Sequence, residues 1–467
     1  FHDAGMPVYK ITGDEETVDE EKARRARILL TTGEKWDSLT RKPQRFPFIK
    51  DPDLIVLDEV HIIDDETRGP TTEVLLSRIK RTAPKARIVG LSAAMRNIEQ
   101  LAQWINGEYY KNTDYRSVPL TLSFEAIPDT RYYNITEQAK DKIIIDTVKM
   151  LLSERTETGK RGKILIFAGS RRKAEETAFN IADSIRLLES PYVSTATSQR
   201  LRRVMERGAA FVHAGLRQSD RQTVINAFDE GPIDVLVSTT SLAWGVNVAA
   251  RTVIVRDIRV GMQKEIDFLS LKQMIGRAGR KGKETVAYAV ILVPFKERQL
   301  VESALIEGRD IESKLERYLL DHINAEINLR TIKDEHSLKE WFTSTFWYYQ
   351  NHQKRPGWER YLDEQLKLLL KQGFVAKDQD RLATTELGKL TSDWYVHVKT
   401  AINLIEGLRK FDFLTYGDCD RAELGLLRLL ATGEEDFAVV LRSIEEKEQV
   451  QEFIDSNPMF ADCDLET

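Results

Sequence analysis

The 467-residue chain has room for about three domains of 100–200 residues. Hydrophobic residues at 42% and charged residues at 31% exclude global disorder, and purely apolar runs such as Ile164-Leu165-Ile166-Phe167 are of strand length, which excludes a membrane-spanning helix. Two cysteines, Cys419 and Cys463, exclude a disulfide framework or a zinc cluster, and 69 Lys+Arg against 74 Asp+Glu (net −5) exclude a wholesale basic tail but not a locally basic channel. The cysteine usage indicates a reducing compartment. The chain begins at Phe1 with no signal-peptide pattern, and reads as an interior piece of something longer.

In chain order, Arg27 to Thr31, Leu54 to Leu57 and Ile88 to Leu91 read as short buried strands, with helical patterns over Thr72 to Arg81 and Asn97 to Trp104. Apolar strands alternating with helices predict a parallel sheet covered on both faces. The stretch 118–140, with Pro119 and Pro128, reads as a connection. A second strand–helix alternation follows, with strands at 164–167, 210–212, 235–237, 253–255 and 289–292. Beyond about 310 the strands nearly vanish. A helix over Glu359 to Lys371 ends at Gly373. A hairpin then turns at Lys377-Asp378-Gln379-Asp380, and a further helix completes the order of a winged helix. The remainder from 393 is helical by periodicity.

Asp58-Glu59-Val60-His61 follows an apolar strand. Carboxylates at the C-terminal edge of a parallel sheet face the crevice where ligands bind, where one can hold Mg²⁺ and its neighbour can orient an attacking water. A merely solvated acidic pair fits the tetrad equally well. Gln273-Met274-Ile275-Gly276-Arg277-Ala278-Gly279-Arg280 is more specific. Its two arginines, three apart, lie on one helical face, and their forks suit the charge on a transferring γ-phosphoryl group. Thr239 to Asn247 and Thr31 to Asp37 each place hydroxyl residues after a strand, where they bond phosphate oxygens or cap a helix. The aromatic block Trp341, Phe342, Phe346, Trp347, Tyr348, Tyr349 reads mainly as core between the winged helix and the second sheet.

With Ser92-Ala93-Ala94, these motifs stand in the order of superfamily-two DExH helicases, and the chain resembles that family. The closer resemblance is to the branch holding archaeal fork-repair, meiotic crossover and spliceosomal RNA-unwinding helicases. It is carried by Thr31 to Asp37, Arg68-Gly69-Pro70-Thr71, Ala243-Trp244-Gly245-Val246-Asn247, His213-Ala214-Gly215-Leu216, Ala325-Glu326-Ile327 and Thr384 to Ser392.

The resemblance implies an α/β fold: the C-terminal part of a first RecA-like parallel-sheet domain (1–125), a second RecA-like domain (126–310), a winged helix (311–392) and the start of a helical domain (393–467). It implies an ATP-dependent helicase tracking 3′ to 5′ along single-stranded or forked nucleic acid, DNA favoured over RNA. The setting is intracellular, cytoplasmic or nuclear, and DNA repair is the expected context. Asp58 and Glu59 resemble the Mg²⁺-organising and water-activating carboxylates, and His61 the residue linking the nucleotide site to the second sheet. Gln273, Arg277 and Arg280 resemble residues reaching ATP, the arginines as fingers, and Gly245 and Asn247 belong to the same nucleotide-binding set. Thr31, Thr32, Thr239 and Thr240 resemble threonines that hold the tracking strand. The resemblance also implies a duplex-splitting hairpin, expected over Val253 to Phe268 with Gly261 at its turn. Three departures stand out. No Gly-x-x-x-x-Gly-Lys-Ser/Thr loop occurs, and the resemblance places one before residue 1. Ser92-Ala93-Ala94 replaces Ser-Ala-Thr, and Gly33 stands where proline is usual. The alternative is a helicase-like scaffold that binds nucleic acid or protein without turning over ATP.

Overall fold

The computed structural model describes residues 5–11, 18–41, 52–92, 95–112, 116–128, 133–155, 159, 161–185, 194–240, 248–260, 264–265, 268–280, 282–410, 426–427 and 429–430. The chain divides into two compact units, Phe1–Leu91 with Glu312–Thr467, and Ser92–Ile311.

The first unit opens with β1 (Val8–Ile11), α1 (Glu20–Arg25), β2 (Ile28–Thr31), α2 (Gly33–Thr40), β3 (Leu54–Leu57), α3 (Gly69–Thr82) and β4 (Arg87–Gly90). β1 pairs with β2 and β3 with β4, both in parallel. Successive strand side chains point to opposite faces. Leu54 and Val56 therefore share one face of β3, and each keeps 54% of its surface exposed. α3 begins three residues before the periodicity predicts. Pro70, in its first turn, lacks only an N–H that the helix would leave unpaired. A Cβ on Gly69 would sit 2.3 Å from the Ile63 carbonyl oxygen, so only glycine lets the 3₁₀ turn Val60–Asp64 pack under α3.

The second unit holds α4 (Ile98–Trp104), β5 (Leu120–Ile127), α5 (Tyr133–Ser153), β6 (Ile164–Ala168), α6 (Arg171–Ser184), α7 (Gln199–Met205), β7 (Ala209–Val212), α8 (Gln218–Asp229), β8 (Val235–Thr239) and β9 (Thr252–Val255). A short pair, β10 (Arg259–Val260) and β11 (Lys264–Glu265), precedes α9 (Phe268–Gly276), β12 (Ala287–Pro294) and α10 (Arg298–Glu307). Six strands form one parallel sheet in the order β5-β12-β9-β6-β8-β7. β6, β7, β8 and β9 are buried along their whole length, as strands covered on both faces must be.

Two expectations are corrected here. The stretch 118–140 is not simply a connection: Leu120–Ile127 pairs residue for residue with β12, and the boundary placed at 125 falls inside this strand. β5 is an edge strand, and exposed Thr121, Glu125 and Ala126 mask its apolar alternation. The hairpin is also narrower than Val253 to Phe268. Thr252–Val255 is a buried sheet strand, and among the described residues the antiparallel ladder pairs Arg259 with Glu265 and Val260 with Lys264. Gly261 lies outside the described residues.

The first unit resumes with a 3₁₀ turn (Leu315–Tyr318), α11 (Leu319–Asn328), α12 (Glu335–Thr343), α13 (Phe346–Asn351), α14 (Trp358–Lys371), the antiparallel hairpin β13 (Val375–Asp378) and β14 (Arg381–Thr384), α15 (Glu386–Asp393) and α16 (Val398–Lys410). Leu362, Leu366 and Leu369 form the buried stripe of α14, and Gly373 ends it at φ +76°. Helix, hairpin and helix stand in the expected order. Trp341, Phe342, Phe346 and Trp347 are buried as core, as expected, but their partners differ. Three of them cluster with Val74 of α3, and the Trp347 N–H donates to Glu73 at 2.8 Å. The block therefore packs against the helix that follows Asp58-Glu59-Val60-His61.

Candidate nucleotide and nucleic-acid sites

β3 delivers Asp58 and Glu59 at its C-terminal end. The parallel ladder continues past the strands, with the Leu91 N–H bonded to Leu57 O at 2.8 Å and the Val60 N–H to Leu91 O at 2.9 Å. Between these bonds Glu59 takes a left-handed conformation, φ +55°. Such a backbone is costly for a non-glycine residue and concentrates at functional sites. It leaves Asp58 exposed, with its Oδ1 accepting the Glu59 N–H at 3.0 Å. Glu59 Oε2 lies 3.2 Å from Nε2 of the fully buried His61. The three residues are thus brought together at one strand end. Among the described residues, no group of three or more His, Cys, Asp or Glu side chains is arranged to hold a metal ion. One or two exposed carboxylates still fit Mg²⁺, which keeps its waters and is held jointly with substrate phosphates.

β2 delivers Thr31 and Thr32. The Thr32 hydroxyl caps α2 by accepting the Lys35 N–H at 3.2 Å, so the helix-cap reading is realised. Thr32 is nevertheless exposed, and its O–H remains a donor while the oxygen accepts. Gly33, standing in place of proline, is the first residue of α2, a position that suits either residue. In the second unit Thr239 is buried at the end of β8, and Thr240 follows half-buried. Gly245, Asn247, Ala93 and Ala94 lie outside the described residues.

Gln273 sits on α9, but the expectation of two arginines on one helical face is corrected. α9 stops at Gly276, and Ala278 forms a bridge with Ala250. The Ala250 N–H bonds Arg277 O at 3.0 Å and the Gly279 N–H bonds Ala250 O at 2.7 Å. Gly279 takes φ +92°, with a would-be Cβ 3.0 Å from Val118. Gly279 thus lets the segment lie close against Val118 and Ala287 of the sheet's edge region. Arg280 is held in place by Glu284, whose carboxylate accepts from the Arg280 backbone N–H at 2.9 Å and from Nε at 2.8 Å. Sequence reasoning gave Glu284 no role, although an acid four residues after a candidate finger is its signal. His213 is buried, its Nδ1 accepting the Gly215 N–H at 3.2 Å and its Nε2–H facing Glu175 at 3.1 Å.

A buried polar node in the first unit was also missed. Arg78 of α3 donates to Asp37 of α2 at 2.6 Å and, from Nε, to Glu326 of α11 at 3.0 Å. Burial pushes the Asp37 carboxyl up, but the Arg78 and Arg41 charges outweigh it and hold Asp37 below its ordinary range. Burial lowers the nearby His322 to about 4, keeping it neutral. Glu73, on the same helix as Arg78, is buried without a charged partner among the described residues and is pushed up to about 7, although Ser313 and two backbone N–H groups favour its ionised form.

Two family profiles match the chain: "DEAD/DEAH box helicase" over residues 2–101 and "Helicase conserved C-terminal domain" over residues 144–282. The Schizosaccharomyces pombe pre-mRNA-splicing factor brr2 is 30% identical over 464 residues, covering 87% of this chain and 21% of that protein. The human protein named "Probable ATP-dependent DNA helicase HFM1" is 33% identical over 380 residues, covering 74% of this chain and 26% of its own length. The Thermoplasma acidophilum ATP-dependent DNA helicase Hel308 is 32% identical over 427 residues, covering 87% of this chain and 60% of its own. The chain thus spans between a fifth and three fifths of these relatives. No described helix is long and apolar enough to cross a membrane. With both profiles in chain order and the acidic and two-arginine motifs at strand and helix ends, the chain belongs to the DExH helicases, in the branch that includes Brr2, HFM1 and Hel308.

Proposed function

We propose that the protein is an ATP-driven nucleic-acid helicase acting on single-stranded or forked substrates, with DNA favoured over RNA and movement 3′ to 5′. The single observation that carries the reading is the strained turn at Glu59, which sets an exposed aspartate and a second carboxylate side by side at the end of a parallel strand. In this reading Glu59 orients and deprotonates the attacking water, and buried His61 fixes the Glu59 carboxylate from one side. Asp58 is the oxygen donor for Mg²⁺, which when bound neutralises charge on the nucleotide phosphates. Arg277 and Arg280 supply positive charge to the transferring phosphoryl group, while Gln273, Gly245 and Asn247 help hold the nucleotide. Thr31, Thr32, Thr239 and Thr240 grip the backbone of one strand, Thr239 from a buried position at the end of β8. Contacts to backbone rather than base edges make binding sequence-tolerant and salt-dependent.

Strand displacement tests the reading. The full-length protein should separate a DNA duplex bearing a 3′ single-stranded tail, require hydrolysable ATP, and leave the 5′-tailed duplex paired. Binding to both tails with no ATP hydrolysis would identify the non-hydrolysing scaffold instead.

A further inference from the structure

Helix α2 is tied to its surroundings by two kinds of contact. Trp36 and Leu39 pack with Ile11 and Ala23 on the side of β1 and α1. The larger apolar cluster formed by α11, α12, α14 and β13 takes Val74 from α3 and includes no residue of α2. Toward those elements α2 presents polar groups. Asp37 and the Thr40 hydroxyl accept from Arg78 Nη1 at 2.6 and 2.7 Å, and Arg78 Nη2 reaches Glu326 at 2.5 Å. Arg41 next to them bonds Asp37 at 2.9 Å and the Ser392 carbonyl at the end of α15 at 3.0 Å. Tyr395 closes the node, its hydroxyl 3.2 Å from Asp37 and its ring 4.1 Å below the Arg41 guanidinium. Asp37, Arg78 and Glu326 are 1%, 3% and 0% exposed.

A buried ion triad is a poor way to gain stability, because desolvation cancels most of the attraction and well-packed apolar residues do as well or better. What it fixes is relative position, since a guanidinium fork satisfies two carboxylates in one geometry only. We propose that Arg78 is a positioning residue for the strand grip. By bridging Asp37 to Glu326 it sets the helix capped by Thr32 in one register against the helices that carry the winged-helix hairpin, so grip and winged helix move as one body. The inference rests on the reading of Thr31 and Thr32 as strand contacts.

The test replaces the triad by apolar residues, Asp37→Leu with Arg78→Met and Glu326→Leu. It compares thermal unfolding with the affinity for a fluorescein-labelled oligothymidylate, read by anisotropy at fixed salt. The triple variant leaves Arg41 without its Asp37 carboxylate and should melt below the wild type, yet where it is folded it should bind the strand about tenfold more weakly. Arg78→Lys, which keeps a charge but loses the fork, should also weaken binding, and it carries the test if the triple variant does not fold. Strand affinity within about twofold of wild type in a folded variant overturns the proposal. Thr31→Val, which leaves the Thr32 cap in place, separates the two readings. If it alone weakens binding, the strand grip stands and the role of Arg78 falls. If it changes nothing, the strand reading and the proposal fall together.

Discussion

Glu73→Gln should change the pH dependence of the first unit's stability in a direction fixed by its surroundings. Burial raises the Glu73 pKa from 4.5 to about 7. Between those values the folded state binds a proton that the unfolded state has released, so this residue's contribution falls as pH rises. At about 1.4 kcal/mol for each pH unit between the two values, ionised Glu73 costs the fold about 3 kcal/mol above pH 7. Glutamine reproduces the neutral form: its Oε1 accepts the Trp347 N–H, and its amide donates to Ser313 Oγ. His322 works the other way. Its pKa falls from 6.5 to about 4 by burial, so the unfolded state takes up the proton first and stability is lost as pH falls through that window. The two slopes oppose each other between about pH 4.5 and 6.5, so these two contributions largely cancel there. Thermal unfolding of Glu73→Gln should therefore lie close to wild type at pH 5. At pH 8 it should exceed wild type by roughly 6–12 °C, taking about 2–4 °C per kcal/mol for units of this size. Below neutrality the variant should lose stability on acidification as His322 is unmasked. Equal melting points at pH 8, or a gain confined to acidic pH, would refute the assignment of a buried, uncompensated carboxyl.

Arg277→Ala and Arg280→Ala should each lower ATP turnover, by on the order of 10³ for a true finger. A double variant no worse than the weaker single would show that they act as one unit, and unchanged ATPase with weakened strand binding would make the segment a nucleic-acid patch. Gly69→Ala should cost about 1–3 kcal/mol in a denaturant titration, because the added methyl meets the Ile63 carbonyl oxygen at 2.3 Å. A neutral result would mean that the 3₁₀ turn moves freely away from α3.

Strands made of consecutive apolar residues were legible to within about two residues, because such short runs admit few alternatives. The edge strand Leu120–Ile127 was not, since its alternation lies among polar residues and its partner is more than 160 residues away. The acidic motif was legible as residues, but the left-handed turn at Glu59 is no property of a glutamate. The ladder bonds from Leu91 to Leu57 and from Val60 to Leu91 enforce it. The arginines were legible as chemistry and misplaced as geometry, because the helix stops at Gly276 and the following residues bridge Ala250 instead. Asp37 and Glu326 both stood inside motifs that carried the family resemblance. Arg78, which joins them, looked like one polar residue in an amphipathic helix, and only the fold brings all three together.

The most direct measurement is the Glu59→Gln variant of the full-length protein, with ATP binding and nucleic-acid-stimulated hydrolysis recorded on the same preparation. If Glu59 acts on the water and not on the nucleotide, ATP affinity should stay near wild type while turnover falls by about 10²–10⁴. Turnover within about threefold of wild type, with ATP still bound, would contradict the account of how this site works.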